Sequence, residues 1–104
     1  MSPLQRSMKV LRAEGWYVEK VEMWNAFSKT RKDLFNLLDL LCIRPDGKVL
    51  GVQVTTMGKK QPHIRKMQAN KLLPYVLRAG WRIELHSWRK LKKTGWNNDI
   101  KIFD

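Results

Sequence analysis

Three polar side chains with the capacity for chemistry, Asp39, Gln53 and Thr55, interrupt two apolar segments, residues 37–43 and 49–55. Burying a carboxylate among apolar side chains is costly unless it is paired or binds a metal ion. Carboxylate and amide oxygens are ligands that hard divalent cations accept. These residue types therefore predict a divalent-metal site at Asp39 and Gln53. The alternative is that Asp39 caps a solvated strand edge.

The segment between the two apolar runs predicts a tight turn that brings these residues together. Pro45 presets its φ for the first turn position, and Gly47 accepts the positive φ of a bulge residue. In a hairpin with this three-residue loop, the register places Asp39 opposite Gln53. Directly opposite residues of an antiparallel pair point to the same face, so the carboxylate and the amide can touch.

The order of these features resembles the PD-(D/E)XK nuclease superfamily. Asp39 begins one strand and Gln53–Thr55 lie on the next; a helix ending at Gly15 precedes them, and a basic helix and a late strand, Gly80–Trp88, follow. Within the superfamily, the chain is most similar to small Holliday junction resolvase-like proteins, especially those of phages. The resemblance implies an α/β fold, a small mixed β-sheet flanked by helices with a restriction-endonuclease-like α-β-β-β-α-β core.

The resemblance also implies a Mg²⁺- or Mn²⁺-dependent endonuclease that hydrolyses phosphodiester bonds in branched DNA such as Holliday junctions. In the family, an aspartate and the Glu of an E-x-K motif bind the metal, and the Lys assists the attacking water. Here the implied metal ligands are Asp39, Gln53 and the main-chain carbonyl of Val54. Gln53 stands at the position of the family's Glu, and Thr55 at that of its Lys. Paired cuts in a junction imply a homodimer.

Because Thr55 carries no positive charge, a cation from elsewhere is needed. Some nucleases of this fold carry the catalytic Lys on the following helix, and Lys66, or failing that Lys59, is the candidate here. The alternative is that both lysines only contact phosphates. The substitutions at Gln53 and Thr55 also leave open a second function, a nuclease-fold protein that binds DNA without cutting it.

The net charge predicts an anionic partner. The 104 residues include 21 Lys and Arg against nine Asp and Glu, a net charge of +12. Such a charge concerns partners rather than fold and favours nucleic acid; a basic RNA-binding or membrane-surface protein is the weaker alternative. The predicted phosphate contacts come from a loop, the basic helix and a late cluster: Lys29, Arg31, Lys32, Lys59, Lys60, Arg65, Lys66, Arg89, Lys90, Lys92 and Lys93.

Length and composition predict one domain, residues 1–104, in a reducing compartment. The single cysteine, Cys42, falls on the apolar strand face, so it is interpreted as a small core residue rather than a nucleophile. One cysteine cannot form an internal disulfide. No segment has transmembrane length, and the N-terminus lacks a signal-type apolar stretch. We expect a cytoplasmic protein, in the host cytoplasm if phage-encoded, without membrane contact.

Cap and turn residues divide the rest of the chain. Ser2-Pro3 predicts the start of the first helix. Residues 16–24 predict the first strand and residues 25–32 a polar loop. Pro74 predicts a break in the basic helical region near residue 72, and residues 81–88 and 99–103 alternate as strands. Glu22 could approach the site but is interpreted first as a solvated edge charge. Asp33 is interpreted first as a structural anchor, with binding of a second metal as the alternative.

Overall fold

The computed structural model describes all residues, 1–104, as one mixed β-sheet with three helices and a separate small hairpin. The helices are α1 (Pro3–Ala13), α2 (Lys60–Gln68) and α3 (Leu73–Arg78), and a 3₁₀ turn (Met57–Lys59) leads into α2. The strands are β1 (Tyr17–Lys20), β2 (Met23–Asn25), β3 (Thr30–Lys32), β4 (Leu40–Ile43), β5 (Val49–Thr56), β6 (Arg82–Leu91) and β7 (Gly95–Phe103). No helix combines the length and the apolar character needed to cross a bilayer.

The main sheet has the strand order β1-β4-β5-β6-β7. Strands β5 and β6 are parallel and are connected through α2 and α3, and the other neighbours are antiparallel. Apart from the hairpin β2–β3, the chain order is helix, three strands, helical segment, strand, with β7 added at the edge. The predicted fold class, a small mixed sheet flanked by helices, is confirmed.

Helix α1 covers one face of the sheet. It begins as predicted, because Ser2 and Gln5 form a capping box in which each side chain accepts a hydrogen bond from the other's backbone N–H. Its Leu11 packs in a core with Leu40, Cys42, Leu50 and Val52. Burial, with a smaller effect from nearby Glu84, raises the pKa of the Cys42 thiol to about 12. The prediction that Cys42 is a core residue is confirmed.

Helices α2 and α3 cover the opposite face. Met67 and Val76 pack there with Ile83, Leu85 and other buried residues of the second core. The break between the two helices falls where Pro74 predicts it, since Pro74 occupies the first turn of α3. The structure extends the two late strands beyond their predicted ends, so Arg89 and Lys90 lie on β6 itself.

Residues 33–38 form a turn, so the apolar segment that the sequence predicts from residue 37 becomes a strand only at Leu40. The chain turns there, with positive φ angles at Phe35 and Asn36 and a short bridge between Leu34 and Leu38. The turn moves Leu38 to the opposite sheet face from Leu40, where it lies over Gly51. A Cβ at Gly51 would come within 2.5 Å of the Leu38 side chain, so any larger residue there would force Leu38 to shift.

The segment of residues 16–32 is also divided differently from the prediction. The expected single strand is split into β1 and β2, and the expected polar loop contributes β3, which pairs with β2. The side chain of Asn25 accepts hydrogen bonds from the backbone N–H groups of Phe27 and Ser28, at 2.9 and 3.3 Å, and so forms the turn between them. All six strand residues are exposed, which is why no burial periodicity marks them in the sequence.

Candidate metal centre

Asp39 lies directly before the first residue of strand β4, beside the paired strand β5. The pairing of Leu40 with Val52 confirms the predicted hairpin register, in which Asp39 is opposite Gln53. The Asp39 carboxylate accepts a hydrogen bond from the Val54 N–H at 2.9 Å. Val54 lies on β5 beyond the last residue paired with β4, so the carboxylate takes the place of a backbone partner there. The side chain therefore does cap a strand edge, but it is only 5% exposed and is not solvated.

Two further carboxylates lie beside Asp39. Oxygen atoms of Glu22, Asp33 and Asp39 all lie within 4.8 Å of one another. Glu22 follows β1, Asp33 follows β3 and Asp39 precedes β4, so three chain segments bring them together. The interpretation of Glu22 as a solvated edge charge is wrong, because its side chain is 13% exposed and faces this cluster.

The acidic cluster contains more negative charge than its surroundings neutralise. Burial raises the pKa of Asp39 to about 7; the Val54 hydrogen bond acts in the opposite direction, and the carboxylates of Asp33 and Glu22 add to the increase. One cation compensates, since Arg31 Nη1 lies 3.1 Å from Glu22 Oε1. Oxygen ligands that repel one another fit a divalent cation, whose charge removes the repulsion.

The cluster opens into a cavity of about 360 Å³. Its wall includes the start of α1, at Ser2 and Pro3, and two cationic side chains, Lys20 and Arg31. Sequence reasoning found Arg31 but missed Lys20. The only signal for Lys20 is its pairing with Leu40, the neighbour of Asp39, and this depends on a strand register that the sequence does not determine.

Gln53 and Thr55 are both buried on the central strand β5. The Gln53 amide oxygen has no hydrogen-bond partner, although the residue is only 7% exposed. A buried amide oxygen without a partner is costly, and a cation would satisfy it. Gln53 lies opposite Asp39 in the strand register. The carboxylates of Glu22 and Asp33 lie within 4.8 Å of the Asp39 carboxylate. The ligand set Asp39, Gln53 and Val54 stays a prediction.

The predicted phosphate-contacting cations are exposed, with one exception. Lys60 is partly buried, and its Nζ lies 2.8 Å from Asp99 Oδ2. Lys59 and Lys66 are exposed, but neither lines the cavity at Asp39. Helix α2, which carries Lys66, packs on the sheet face opposite α1, whereas the cavity lies beside the start of α1.

A second buried polar group, the His86 network, links α1 to β6. Trp88 Nε1 donates to Ser7 Oγ at 2.8 Å, Ser7 Oγ lies 2.9 Å from His86 Nδ1, and His86 Nε2 lies 3.0 Å from Glu84 Oε1. Because a carboxylate only accepts, Nε2 carries a proton; in the neutral ring Nδ1 then accepts from the Ser7 hydroxyl. Arg82 completes the network with a 2.7 Å hydrogen bond to Glu84.

The His86 network has the residue types of a hydrolase triad but no access for a substrate. Ser7 is completely buried and His86 is 1% exposed. Burial alone would raise the pKa of Glu84, but hydrogen bonds from His86 and Arg82 outweigh it, so the pKa is lowered. Sequence reasoning missed this network because Ser7 and His86 are distant in the chain.

Comparison with protein-family models, with curated proteins and with solved structures finds no match for this chain. The geometry itself distinguishes the two buried polar groups. In the His86 network the single carboxylate is paired with His86 and Arg82, whereas the acidic cluster brings three carboxylates together and only Glu22 is paired with a cation, Arg31. The acidic cluster is therefore the candidate site.

Proposed function

We propose that this protein is a Mg²⁺- or Mn²⁺-dependent endonuclease that cuts branched DNA, with Asp39 at its metal centre. The observation that carries the proposal is the meeting of three carboxylates, one of them buried, on a chain with a net charge of +12. A surface that only binds phosphates gains nothing from such a cluster, because carboxylates repel phosphate. Carboxylates that hold a metal ion attract phosphate instead.

The residues around the cavity fit this chemistry. A divalent cation held there would lower the pKa of a bound water and stabilise the charge that develops on a phosphate. Asp39 and Glu22 line the cavity and, with Asp33 within 4.8 Å of both, offer charged oxygen ligands. Gln53, opposite Asp39 in the strand register, has an unpartnered amide oxygen that could act as a neutral ligand. Lys20 and Arg31 line the same cavity, where their charges would orient a phosphate group.

The positive charge that Thr55 cannot supply has two candidate sources. The sequence predicts Lys66 or Lys59 on the helical segment after β5. The cavity wall favours Lys20, because Lys20 is the lysine that lines it and Arg31 is already paired with Glu22. Cleavage of both strands at a junction needs two active sites, so we propose that the protein acts as a two-fold dimer. The proposed place of action is the cytoplasm, or the host cytoplasm if the protein is phage-encoded.

A nuclease-fold protein that binds DNA without cutting it is the second candidate. The observation that favours it is the pair of buried side chains at the family's acid and lysine positions, Gln53 and Thr55, neither of which carries a charge. On this alternative, the cations of the surface hold DNA and the acidic cluster is not used in cleavage.

One incubation distinguishes the two functions. The protein is mixed with a four-way junction or a linear duplex of matched sequence, in Mg²⁺, Mn²⁺ or EDTA, and the products are resolved on a denaturing gel. The nuclease proposal predicts metal-dependent cuts in the junction and none in EDTA. Binding of the junction without cuts in either metal would contradict it and favour the second candidate.

A further inference from the structure

The hairpin β2–β3 exposes large apolar side chains that the metal chemistry does not use. Trp24 is 61% exposed, and Phe27, in the turn, is 102% exposed. Met23 is also exposed on β2. Several large apolar side chains exposed in one place are typical of a contact surface rather than of an ordinary protein exterior.

An apolar groove lies between this hairpin and the turn of residues 33–38. Its volume is about 760 Å³, and its apolar lining includes Val21, Met23, Trp24, Leu34, Phe35 and Leu72. Asp33 lines the groove and also belongs to the acidic cluster with Asp39. A ligand in the groove would therefore lie directly beside the candidate metal centre.

The charge of the hairpin selects among possible occupants. Residues 23–32 contain three cations, Lys29, Arg31 and Lys32, and no acidic residue. Register places Lys32 on the same side of the hairpin as Met23, and Arg31 on the same side as Trp24. Each side thus presents an apolar or aromatic group next to a cation, the combination that binds nucleobases and their phosphates.

A second copy of the chain is a poor occupant of this surface. A two-fold contact is formed by the same patch on both subunits, so it would bring the unpaired hairpin cations of both, Lys29 and Lys32, into one interface. Like charges brought together across an interface disfavour association. An anionic polymer with exposed apolar bases satisfies both features of the surface.

We infer that the β2–β3 hairpin binds unpaired DNA bases, which stack on Trp24 and Phe27 while Lys29 and Lys32 contact the flanking phosphates. The inference rests on the proposed function for the identity of the ligand as DNA. It also gives that function a basis for substrate choice, since a branch point offers unstacked bases that a continuous duplex does not.

The test compares two DNAs in EDTA, where cleavage does not contribute. One is a blunt duplex, and the other is the same duplex with a single-stranded tail. The double variant Trp24→Ala/Phe27→Ala should lose affinity for the tailed DNA by about tenfold or more, since each lost base stack has an effect of this order. Its affinity for the blunt duplex should be unchanged. Tyr17→Ala, which removes a 67% exposed tyrosine on β1, is the matched control and should alter neither affinity.

A crosslinking measurement tests the contact directly. Tails that carry 5-iodouracil are irradiated with the protein, and the attached peptide is identified by mass spectrometry. Attachment at Trp24 or Phe27 supports the inference, and attachment confined to residues outside 21–36 contradicts it.

Four results, three of nucleic-acid affinity and one of the oligomeric state of the double variant, would overturn the inference. They are unchanged binding of the tailed DNA by the double variant, an equal loss on both DNAs, tighter binding of an RNA tail than of the DNA tail, and conversion of a dimer to a monomer with unaltered DNA affinity. Failure of the nuclease proposal gives a different pattern. The wild type would then cut nothing in Mn²⁺ while the double variant still lost affinity only for tailed DNA.

Discussion

The protein buries two groups of titratable side chains, and they differ in how their charges are matched. In the His86 network, Glu84 receives hydrogen bonds from His86 and Arg82, and its pKa is lowered despite burial. In the acidic cluster, Asp39 lies beside two more carboxylates, and its pKa is raised to about 7. Burial of an ionisable group is thus common to both regions, and the presence or absence of a partner distinguishes them.

This difference separates a structural role from a functional one. A fully paired polar network in a protein interior fixes the packing of the elements that it joins, here α1 and β6. Charges that lack partners destabilise the fold, and they are concentrated at sites where a ligand or a reaction uses them. The two regions should therefore respond in opposite ways to substitution.

The largest expected effect is on cleavage by Asp39→Asn. This change removes a ligand charge but keeps an oxygen that can accept the Val54 hydrogen bond, so the fold should be retained. We expect a loss of junction cleavage of more than about a hundredfold in Mg²⁺, since metal-ion stabilisation is lost. DNA binding in EDTA should be nearly unchanged. Glu84→Gln, the matched control in the His86 network, should cleave normally per folded molecule. Cleavage by Asp39→Asn at the wild-type rate would place the active site elsewhere.

The source of the missing positive charge can be resolved by comparing two lysines. Lys20→Ala should reduce cleavage by roughly a hundredfold, the typical effect of losing one acid–base or charge contact, and should reduce binding much less. Lys66→Ala should weaken binding and cleavage in parallel, as expected for a phosphate contact. Rates and affinities measured on the same junction decide between them. If Lys66→Ala affects cleavage selectively, the sequence-based candidate is correct and Lys20 is only a phosphate contact.

Loss of a side chain from the His86 network should lower the free energy of unfolding. His86→Ala removes one of the two hydrogen-bond partners of Ser7 and of Glu84 and leaves a buried cavity. We expect the free energy of unfolding to fall by about 2–4 kcal/mol, measured by urea denaturation, because a buried carboxylate loses a hydrogen bond and core volume is lost. A change within about 0.5 kcal/mol, as at an ordinary surface position, would mean that the network does not hold α1 on β6.

The acidic cluster, whose carboxylates lack full compensating charge, should make the free energy of unfolding depend on pH. The Asp39 carboxyl has a pKa of about 7 in the folded protein against 3.8 as its ordinary value. Between these values the folded state binds more protons than the unfolded state, so the free energy of unfolding falls as the pH rises. The loss attributable to Asp39 in metal-free buffer is at most about 4 kcal/mol, because each pKa unit corresponds to about 1.4 kcal/mol. Asp39→Asn should remove this part of the pH dependence. Parallel stability curves for the two proteins would contradict the raised pKa.

Local signals in the sequence account for much of the fold. The Pro45–Gly47 turn specifies the hairpin register, and the Ser2 cap and Gly15 specify the extent of α1. The fully exposed strands β2 and β3 could not be found, because periodicity arises from burial and these strands have none. The apolar run before Asp39 resembles a strand, but positive φ angles at Phe35 and Asn36 turn it instead.

The residues that form the candidate site are the hardest part of the structure to predict from the sequence. Asp39 can be recognised as a polar residue inside an apolar strand. Its neighbours Glu22 and Asp33 reach it only because the unrecognised hairpin and turn fold back toward β4. Ser7 and His86 likewise meet only through the packing of α1 on β6. Contacts between distant segments depend on tertiary structure, which no spacing rule encodes.

Binding of Mn²⁺ tests the central contrast most directly. Free Mn²⁺ is quantified by electron paramagnetic resonance during titration of the wild type, Asp39→Asn and Glu84→Gln at pH 8, where the Asp39 carboxyl is ionised. If the acidic cluster is a metal centre, the wild type and Glu84→Gln should bind Mn²⁺ with equal affinity. Asp39→Asn should bind the ion at least about tenfold more weakly, because it lacks one charged ligand. Equal affinity of Asp39→Asn and the wild type for Mn²⁺ would contradict a metal centre at Asp39.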